Sequence, residues 1–293
     1  MILVRYGEIG LKGKLRKRFE GLLISNIKSV LQVHEFREEI SADWGRIYIP
    51  SQDEKIARLV AGVFGVTSTS VAVETDSRMS SIRNKALEIG SELINRESSF
   101  AVRTRRAGEH DFSSMDVQRT VGAELQSQTG SRVDLSNPDV TIYIEVREDS
   151  TYVYTSIIKG FGGLPVGSQE RVLSIINDRK SLASTWYALR RGCDADILSS
   201  PEMDDAYDIL LPWADHRKIR VLEGHGGMRE MLTNAFATRY PATYCSATMD
   251  QMEGLLPLLR DRGMPVLTPL LPFSEDEIKG KIAVIENYFN SIN

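Results

Sequence analysis

The residues Asn177-Asp178-Arg179-Lys180 and the following Ser181 lie between a predicted strand and a predicted helix. Such a turn places backbone N–H groups at a helix N-terminus, where many α/β domains bind nucleotide phosphates. Phosphate-binding turns are usually rich in glycine, because the backbone must approach the phosphate closely. This turn has no glycine; its aspartate would repel phosphate, and its two cations would partly compensate. The residue types leave open a phosphate site, a site that has lost its function, and an ordinary loop.

A second cluster with chemical potential is FAVRTRRAGEHDFSSMD, which carries Arg103, Arg105 and Arg106. On a strand, Arg103 and Arg105 point to one face, and Arg106 begins the exit loop. Guanidinium groups beside a helix that is capped by Ser113 or Ser114 can form a phosphate-binding surface. Charged residues also protect an exposed strand edge from aggregation, so the chemistry alone does not separate the two interpretations.

The first twenty residues form a third cluster, in which six cations outnumber Glu8 and Glu20: Arg5, Lys12, Lys14, Arg16, Lys17 and Arg18. The segment GEIGLKGK is not a P-loop, because Glu8 and Leu15 stand where that motif needs glycine and a hydroxyl residue. A basic turn before a basic helix can instead hold an RNA phosphate. A solvated helix face would use the same residues. Residues 166–293 carry 14 Lys/Arg and 18 Asp/Glu, so the net charge of −4 resides there and residues 1–165 are neutral.

Composition argues against metal, disulfide and membrane chemistry. The chain has 293 residues, two cysteines and four histidines, without a CxxC or HExxH motif, so we expect no metal site. Cys245 lies in the apolar segment ATYCSA and is expected to be a buried structural thiol. The sequence has no apolar run long enough to span a membrane, and its N-terminus does not resemble a signal peptide. We therefore expect a cytoplasmic protein without membrane contact.

The elements that position these clusters fall into three predicted domains. Residues 1–76 show a βαβαβ pattern that predicts a ferredoxin-like unit. Residues 77–165 combine two helices with alternating strands and end in the segment GFGGLPVG, which is the best candidate for a linker. Residues 166–293 alternate strands and helices, which predicts a doubly wound parallel sheet. The turn at Asn177 is the first strand-to-helix turn of this sheet, and ligands bind at such turns.

The segment GHGG, residues 224–227, occupies a later strand-to-helix turn of the same predicted domain. Its glycines can form a nest of backbone amides for an anion. Glycines also simply permit a tight turn, and this second interpretation is favoured.

The motifs quoted above resemble one known family. VRYGEIGLKGK near the N-terminus, together with FAVRTRRAGEHDFSSMDVQRTVGAEL and KGFGGLPVG, is similar to the tRNA 4-thiouridine synthetase (tRNA sulfurtransferase) family. The resemblance covers most of the chain, strongly over residues 1–168 and weakly afterwards. It implies an N-terminal ferredoxin-like domain, an α/β THUMP domain, and a Rossmann-like domain of the PP-loop type that adenylates a uridine of tRNA.

The resemblance implies RNA contacts at Lys12, Lys14, Arg103, Arg105 and Arg106, and we add Lys159 to this predicted set. It implies tRNA as the partner. A cysteine desulfurase or another modification enzyme is a candidate second partner, and family precedent favours a homodimer.

The family's adenylating turn reads Ser-Gly-Gly-x-Asp-Ser, and only Ser181 matches it here. The family's sulfur-carrying cysteine lies in a C-terminal tail beyond the elements traced in this sequence, and Cys245 is not assigned that role. We therefore expect a tRNA-binding protein with a degenerate nucleotide loop at residues 177–181, no catalytic residue, no metal and no cofactor. The alternative is an active sulfurtransferase that uses ATP and magnesium, with sulfur supplied by another protein.

Overall fold

The computed structural model of the protein describes residues 1–7, 13–43, 45–260 and 263–292. The helices are α1 (Arg16–Val33), α2 (Glu54–Gly62), α3 (Met79–Leu93), α4 (Ser114–Thr129), α5 (Lys180–Arg190), α6 (Ala206–Leu210), α7 (Met228–Phe236), α8 (Met249–Leu259) and α9 (Glu275–Asn287). Strands β1 to β10 are Ile2–Tyr6, Ser41–Asp43, Arg46–Ile49, Val66–Val71, Val73–Asp76, Ser99–Arg106, Arg132–Val133, Val140–Val146, Ser150–Tyr154 and Ile158–Lys159. Strands β11 to β15 are Gln169–Ile176, Cys193–Ser199, Val221–Glu223, Thr243–Tyr244 and Val266–Leu267. In the described ranges, no helix is both long and apolar enough to cross a membrane.

The first sheet has the strand order β10-β4-β1-β3-β2. Every residue of β1 is buried. Helix α1 buries Phe19, Leu23 and Ile27, which recur at helical spacing, so its apolar stripe faces a core.

The second sheet has the order β5-β9-β8-β6-β7. Its central pair, β6 and β8, is parallel, and β8 continues into the antiparallel β9 as the predicted hairpin. Alternate residues of β6 and β8, including Val102 and Ile142, form a core cluster with residues of α3 and α4. Arg103 and Arg105 therefore lie on the opposite face from this cluster, because side chains alternate along a strand.

The third sheet is parallel, with the order β13-β12-β11-β14-β15. Helices α7 and α8 contribute to one core cluster with Leu173 and Ile175 of β11. Helix α5 packs against α9 and against β11. The sequential order of the strands reverses between β11 and β14, so the crevice at the carboxyl ends of these two strands is the topological switch point. The predicted α/β class with a parallel third sheet is confirmed.

The chain folds into two compact units. One contains residues 1–3, 48–54 and 70–158, and the other contains residues 4–47, 55–69 and 159–293. In the second unit, the aromatic side chains of Phe64, Phe161, Trp186, Trp213 and Tyr288 meet with ring centroids 5.0–5.7 Å apart. This aromatic cluster joins the end of α2 to the elements around the third sheet.

The segment GFGGLPVG is closely packed. The N–H of Gly160 donates to Thr67 O, and the N–H of Gly162 donates to Val66 O. A Cβ atom at Gly160 would lie 2.4 Å from Val66 O, which only glycine avoids. This connection is therefore an ordered strap along the second compact unit.

Two element predictions are wrong in detail. The segment STSVAVET does not form one strand, because Val66–Val71 pairs in the first sheet and Val73–Asp76 in the second. The helix expected over 203–213 is reduced to Ala206–Leu210 between two 3₁₀ turns. Pro201 and Pro212 open those turns, since proline lacks the N–H that a continuous helix would need.

Candidate functional site

The turn after β11 is closed by the carboxylate of Asp178. Its Oδ1 accepts hydrogen bonds from the backbone N–H of Ser181 at 3.0 Å and from Ser181 Oγ at 2.9 Å. Arg179 already has helical dihedrals, with φ −60° and ψ −30°, so Asp178 acts as the N-cap of α5. The Asp178 carboxylate thus accepts the hydrogen bond of a backbone N–H, that of Ser181, which a phosphate bound at this helix end would need.

Serine hydroxyls extend this arrangement across the switch point. Ser181 and Ser246 are buried, and their Oγ atoms lie 3.1 Å apart, which links the turn after β11 to the turn after β14. Ser181 Oγ also lies 3.1 Å from Asn177 Oδ1, and Ser246 Oγ lies 3.4 Å from Asp178 Oδ1. The polar atoms at the sheet edge therefore satisfy one another.

The two cations of the turn are directed to carboxylates. Arg179 Nη1 lies 2.7 Å from both Oδ1 and Oδ2 of Asp205, and Nε lies 3.2 Å from Glu286 Oε1. The hydrogen bond to Asp205 raises the pKa of Arg179. Lys180 Nζ lies 4.0 Å from Asp178 Oδ2. On the sequence alone, both cations are expected to offset the repulsion between Asp178 and a bound phosphate. These contacts oppose that expectation, because the cations lie close to carboxylates of the chain instead.

The helix N-termini that follow β13 and β14 are also occupied. In GHGG, Gly226 has φ +78° and the N–H of Gly227 donates to Glu230 Oε2 at 2.9 Å. Thr248 and Gln251 form a capping box at the start of α8. At the carboxyl edge of the third sheet, side chains of the chain itself therefore accept hydrogen bonds from the N–H groups at the helix N-termini.

Both cysteines are buried and free. Burial raises the pKa of the Cys245 thiol, and the predicted burial of this residue is confirmed. Across the described ranges, no group of three or more His, Cys, Asp or Glu residues is arranged to hold a metal ion.

Arg103 and Arg105 form a surface on one side of β6 that we call the arginine face, and Arg106, the last residue of the strand, points to the other side by alternation. All three are exposed, and none makes an ion pair with a carboxylate in the described part of the chain. Arg103 Nη2 donates to Leu135 O at 2.8 Å, and Arg106 Nη1 donates to Gly108 O at 3.2 Å. Each group thus keeps further N–H donors for an anion, because a guanidinium carries five.

Helix α4, which packs on the core side of β6, is capped by Ser113, one of the two predicted caps. The N–H of Asp116 donates to Ser113 Oγ, and the N–H of Ser113 donates to Asp116 Oδ2. The hydrogen bonds with Ser113 lower the pKa of Asp116 and so favour its ionised carboxylate. The N-terminal end of α4 is therefore occupied by the helix's own side chains.

The N-terminal cluster is described only in part. Lys12 lies outside the described residues, and Lys14 lies in the 3₁₀ turn Gly13–Leu15 without a described side chain. Lys17 and Arg18, in the first turn of α1, are exposed and have no described carboxylate within ion-pair distance. The basic pattern includes both, although the predicted site set omits them. Lys159 is exposed on β10.

Comparison with known proteins gives two family matches. The profile of the ThiI ferredoxin-like domain matches residues 1–70, and that of the THUMP domain matches residues 58–156. A probable tRNA sulfurtransferase of Sulfurisphaera tokodaii is 30% identical over 95% of this chain and 84% of its own length. One of Methanothermobacter thermautotrophicus is 42% identical over 66% of this chain and 50% of its own length. The chain spans about half the length of the first curated relatives it matches.

Two solved structures share the fold. The crystal structure of PH1313 from Pyrococcus horikoshii Ot3 has a TM-score of 0.78 at 26% identity, covering 95% of this chain and 97% of that one. A crystal structure described as a 4-thiouridine synthetase–RNA complex with bound ATP has a TM-score of 0.75 at 24% identity. That match covers 98% of this chain and 85% of the other.

Proposed function

The chain belongs to the tRNA sulfurtransferase family, and we propose that it is a tRNA-binding protein whose adenylating turn no longer binds phosphate. In this proposal the ferredoxin-like and THUMP domains dock on the acceptor region of tRNA. The domain around the third sheet retains the fold as a scaffold.

The observation that carries the proposal is the arginine face. Two exposed guanidinium groups, those of Arg103 and Arg105, lie side by side on one face of β6, and exposed Arg106 ends the strand; none has a described ionic partner. Arginine matches phosphate geometry with paired N–H donors, so such a face suits an RNA backbone. The chain's net charge of −4 does not oppose this, because binding depends on the local patch. The name of the RNA-bound structural relative also supports RNA as the partner.

Asp178 supports the loss of phosphate binding. A phosphate at the N-terminus of α5 would have to displace this carboxylate from Ser181 and would meet its charge. Arg179 would have to leave Asp205 and Glu286 to help. Both requirements weaken any binding of ATP at this turn.

The RNA half of the proposal is tested by equilibrium binding of unmodified tRNA to the full chain between roughly 50 and 300 mM salt. If the three guanidinium groups each contact a phosphate, log K falls against log salt with a slope of roughly −2 to −3. The double variant Arg103→Glu and Arg105→Glu should reduce affinity at least about tenfold and make the slope shallower by about two.

The control is Arg83→Glu, which makes the same charge change per site on α3, where Arg83 pairs with Glu124 at 3.6 Å. Its tRNA affinity should stay within about threefold of the unaltered chain, because it lies on the helix layer of the second sheet. A double variant that binds as tightly as the unaltered chain would contradict the proposal.

The alternative, an active sulfurtransferase supplied with sulfur by a cysteine desulfurase, requires ATP to bind at residues 177–181. Pyrophosphate release in the presence of tRNA, ATP and magnesium distinguishes the two functions. We expect none above the level of a sample without protein.

A further inference from the structure

A cavity of about 320 Å³ lies beside the aromatic cluster of the second compact unit. Phe161 and Trp186 form its aromatic wall, and Gly280, Val284 and Ile285 of α9 contribute the facing side. This volume falls at the lower end of the range of about 300–1,000 Å³ that is typical of small-molecule sites. The residues that line the cavity are distinct from those of the turn at 177–181 and from the arginine face.

The aromatic wall is held in place by its neighbours. The rings of Phe161 and Trp186 meet edge to face, with centroids 5.6 Å apart at 86°. Arg190 Nε donates to Phe161 O at 2.9 Å, and Arg190 Cζ lies 5.6 Å from the Trp186 ring centroid. When a flat ligand packs on an aromatic wall that is already rigid, little side-chain conformational entropy is lost on binding.

Gly280 lines the cavity without contributing a side chain to it. It lies within helix α9, where glycine is less favourable than alanine. A Cβ atom at this position would meet no atom within 4 Å, so a larger side chain would extend into open space. Val284, one turn later, is 43% exposed and leaves apolar surface for a ligand to cover.

The charge of the cavity comes from Lys281 and Glu277. Lys281 Nζ lies 4.4 Å from the Phe273 ring centroid and 5.5 Å from that of Tyr187, and no described carboxylate pairs with it. Glu277 Oε2 instead accepts from the N–H and the hydroxyl of Ser274 at 2.8 and 2.9 Å. Those bonds, together with the charge of Lys281, lower the pKa of Glu277, whose side chain also lines the cavity. Lys281 is the one cation among the described residues that line the cavity, and an incoming anion would meet it there.

We propose that this cavity binds a small planar aromatic carboxylate, with its ring against Phe161 and Trp186 and its carboxylate on Lys281. The shape, the apolar walls and the ammonium group of Lys281 each match one part of such a ligand. This site is independent of the proposed tRNA binding.

The test uses indole-3-acetate and its uncharged isostere indole-3-acetamide, titrated into the full chain by calorimetry. We expect saturable binding of the acetate with a Kd below about 1 mM, as suits a ligand of about 13 heavy atoms. The amide should bind about tenfold more weakly, because it forms no ion pair with Lys281. The Trp186 indole N–H signal in a ¹⁵N correlation spectrum, assigned with Trp186→Phe, should shift with the acetate.

Two variants with matched controls localise the binding. Gly280→Leu should abolish binding of both compounds by filling the cavity, whereas Gly254→Leu, at an equally open position of α8, should leave it unchanged. Lys281→Met should reduce the preference for the acetate below about twofold, whereas Lys279→Met should preserve it. Lys279 is a suitable control because it pairs with the exposed Asp276 on the same helix.

The proposal is overturned by any of three results. These are no saturable binding up to about 5 mM, equal affinity of Gly280→Leu and the unaltered chain, and equal affinity of acetate and amide for the unaltered chain. Thermal unfolding of each variant confirms that it is folded, and binding without a shift of the Trp186 signal also counts against the cavity.

Discussion

Asp178 occupies the helix N-terminus at which a phosphate would bind to the domain around the third sheet. Its carboxylate accepts two hydrogen bonds from Ser181, so a single side chain performs the capping that a bound phosphate would otherwise perform. The sequence shows an acid in the turn. That Ser246 completes the arrangement was not predictable, because this contact joins residues 65 positions apart.

Removing this cap has a defined energetic consequence. Asp178→Ala should lower the free energy of unfolding by about 1 kcal/mol, because the N–H of Ser181 loses its side-chain acceptor. Asp178→Asn should stay within about 0.5 kcal/mol of the unaltered chain, since asparagine caps helices nearly as well. Urea unfolding of both variants measures this, and equal losses for alanine and asparagine would mean that the charge, and not the cap, stabilises the turn.

The elements that the sequence predicts best are those with complete local signals. Helix α4 begins after Ser113 and ends before Gly130, which has φ +67°, as its cap residues indicate. The split of residues 66–76 between two sheets leaves no such signal, because both halves contain the β-branched residues Val and Thr that favour strands. The choice of sheet is set by long-range pairing, which local propensity does not encode.

Glycines in different elements should respond in opposite directions to a methyl group. Gly160→Ala should destabilise the protein by more than about 2 kcal/mol, because its Cβ would lie 2.4 Å from Val66 O and 2.9 Å from Ala61 O. Gly122→Ala should stabilise α4 by up to about 1 kcal/mol, since its Cβ would meet no atom within 4 Å. Thermal unfolding of the pair checks this; a neutral Gly160→Ala would show that the strap moves freely.

At the scale of the whole molecule, one buried acid influences the pH range of stability. Asp215 is buried, has the left-handed φ of +52°, and has no partner for Oδ2 in the described part of the chain. Burial raises its pKa well above the usual value, while Arg217 and a hydrogen bond with Asn26 act in the opposite direction. His216 follows it, and its own pKa is lowered by burial and by His34.

The sign of the effect follows from proton linkage. The unfolded chain releases the Asp215 proton near about pH 4, whereas the folded chain retains it to higher pH, so stability is lost as pH rises between these two values. Asp215→Asn removes this loss, and asparagine tolerates the left-handed conformation. Its gain over the unaltered chain should grow from about pH 4 to pH 8, because burial raises the pKa of Asp215 in the folded chain.

Urea unfolding at about pH 4, 6 and 8 measures this gain. Asp208→Asn, at an exposed position of α6, serves as the control and should show no such trend. A gain for Asp215→Asn that is the same at all three pH values would show that Asp215 does not titrate differently in the folded chain.

In the proposed function, this chain binds tRNA without binding ATP, although it shares its fold with a structural relative described with bound ATP. The most direct measurement is calorimetric titration of ATP and magnesium into the chain already saturated with tRNA. We predict no heat beyond dilution, because Asp178 occupies the helix end and Arg179 is paired with Asp205. Saturable binding of one ATP per chain would contradict the proposed loss of phosphate binding at residues 177–181.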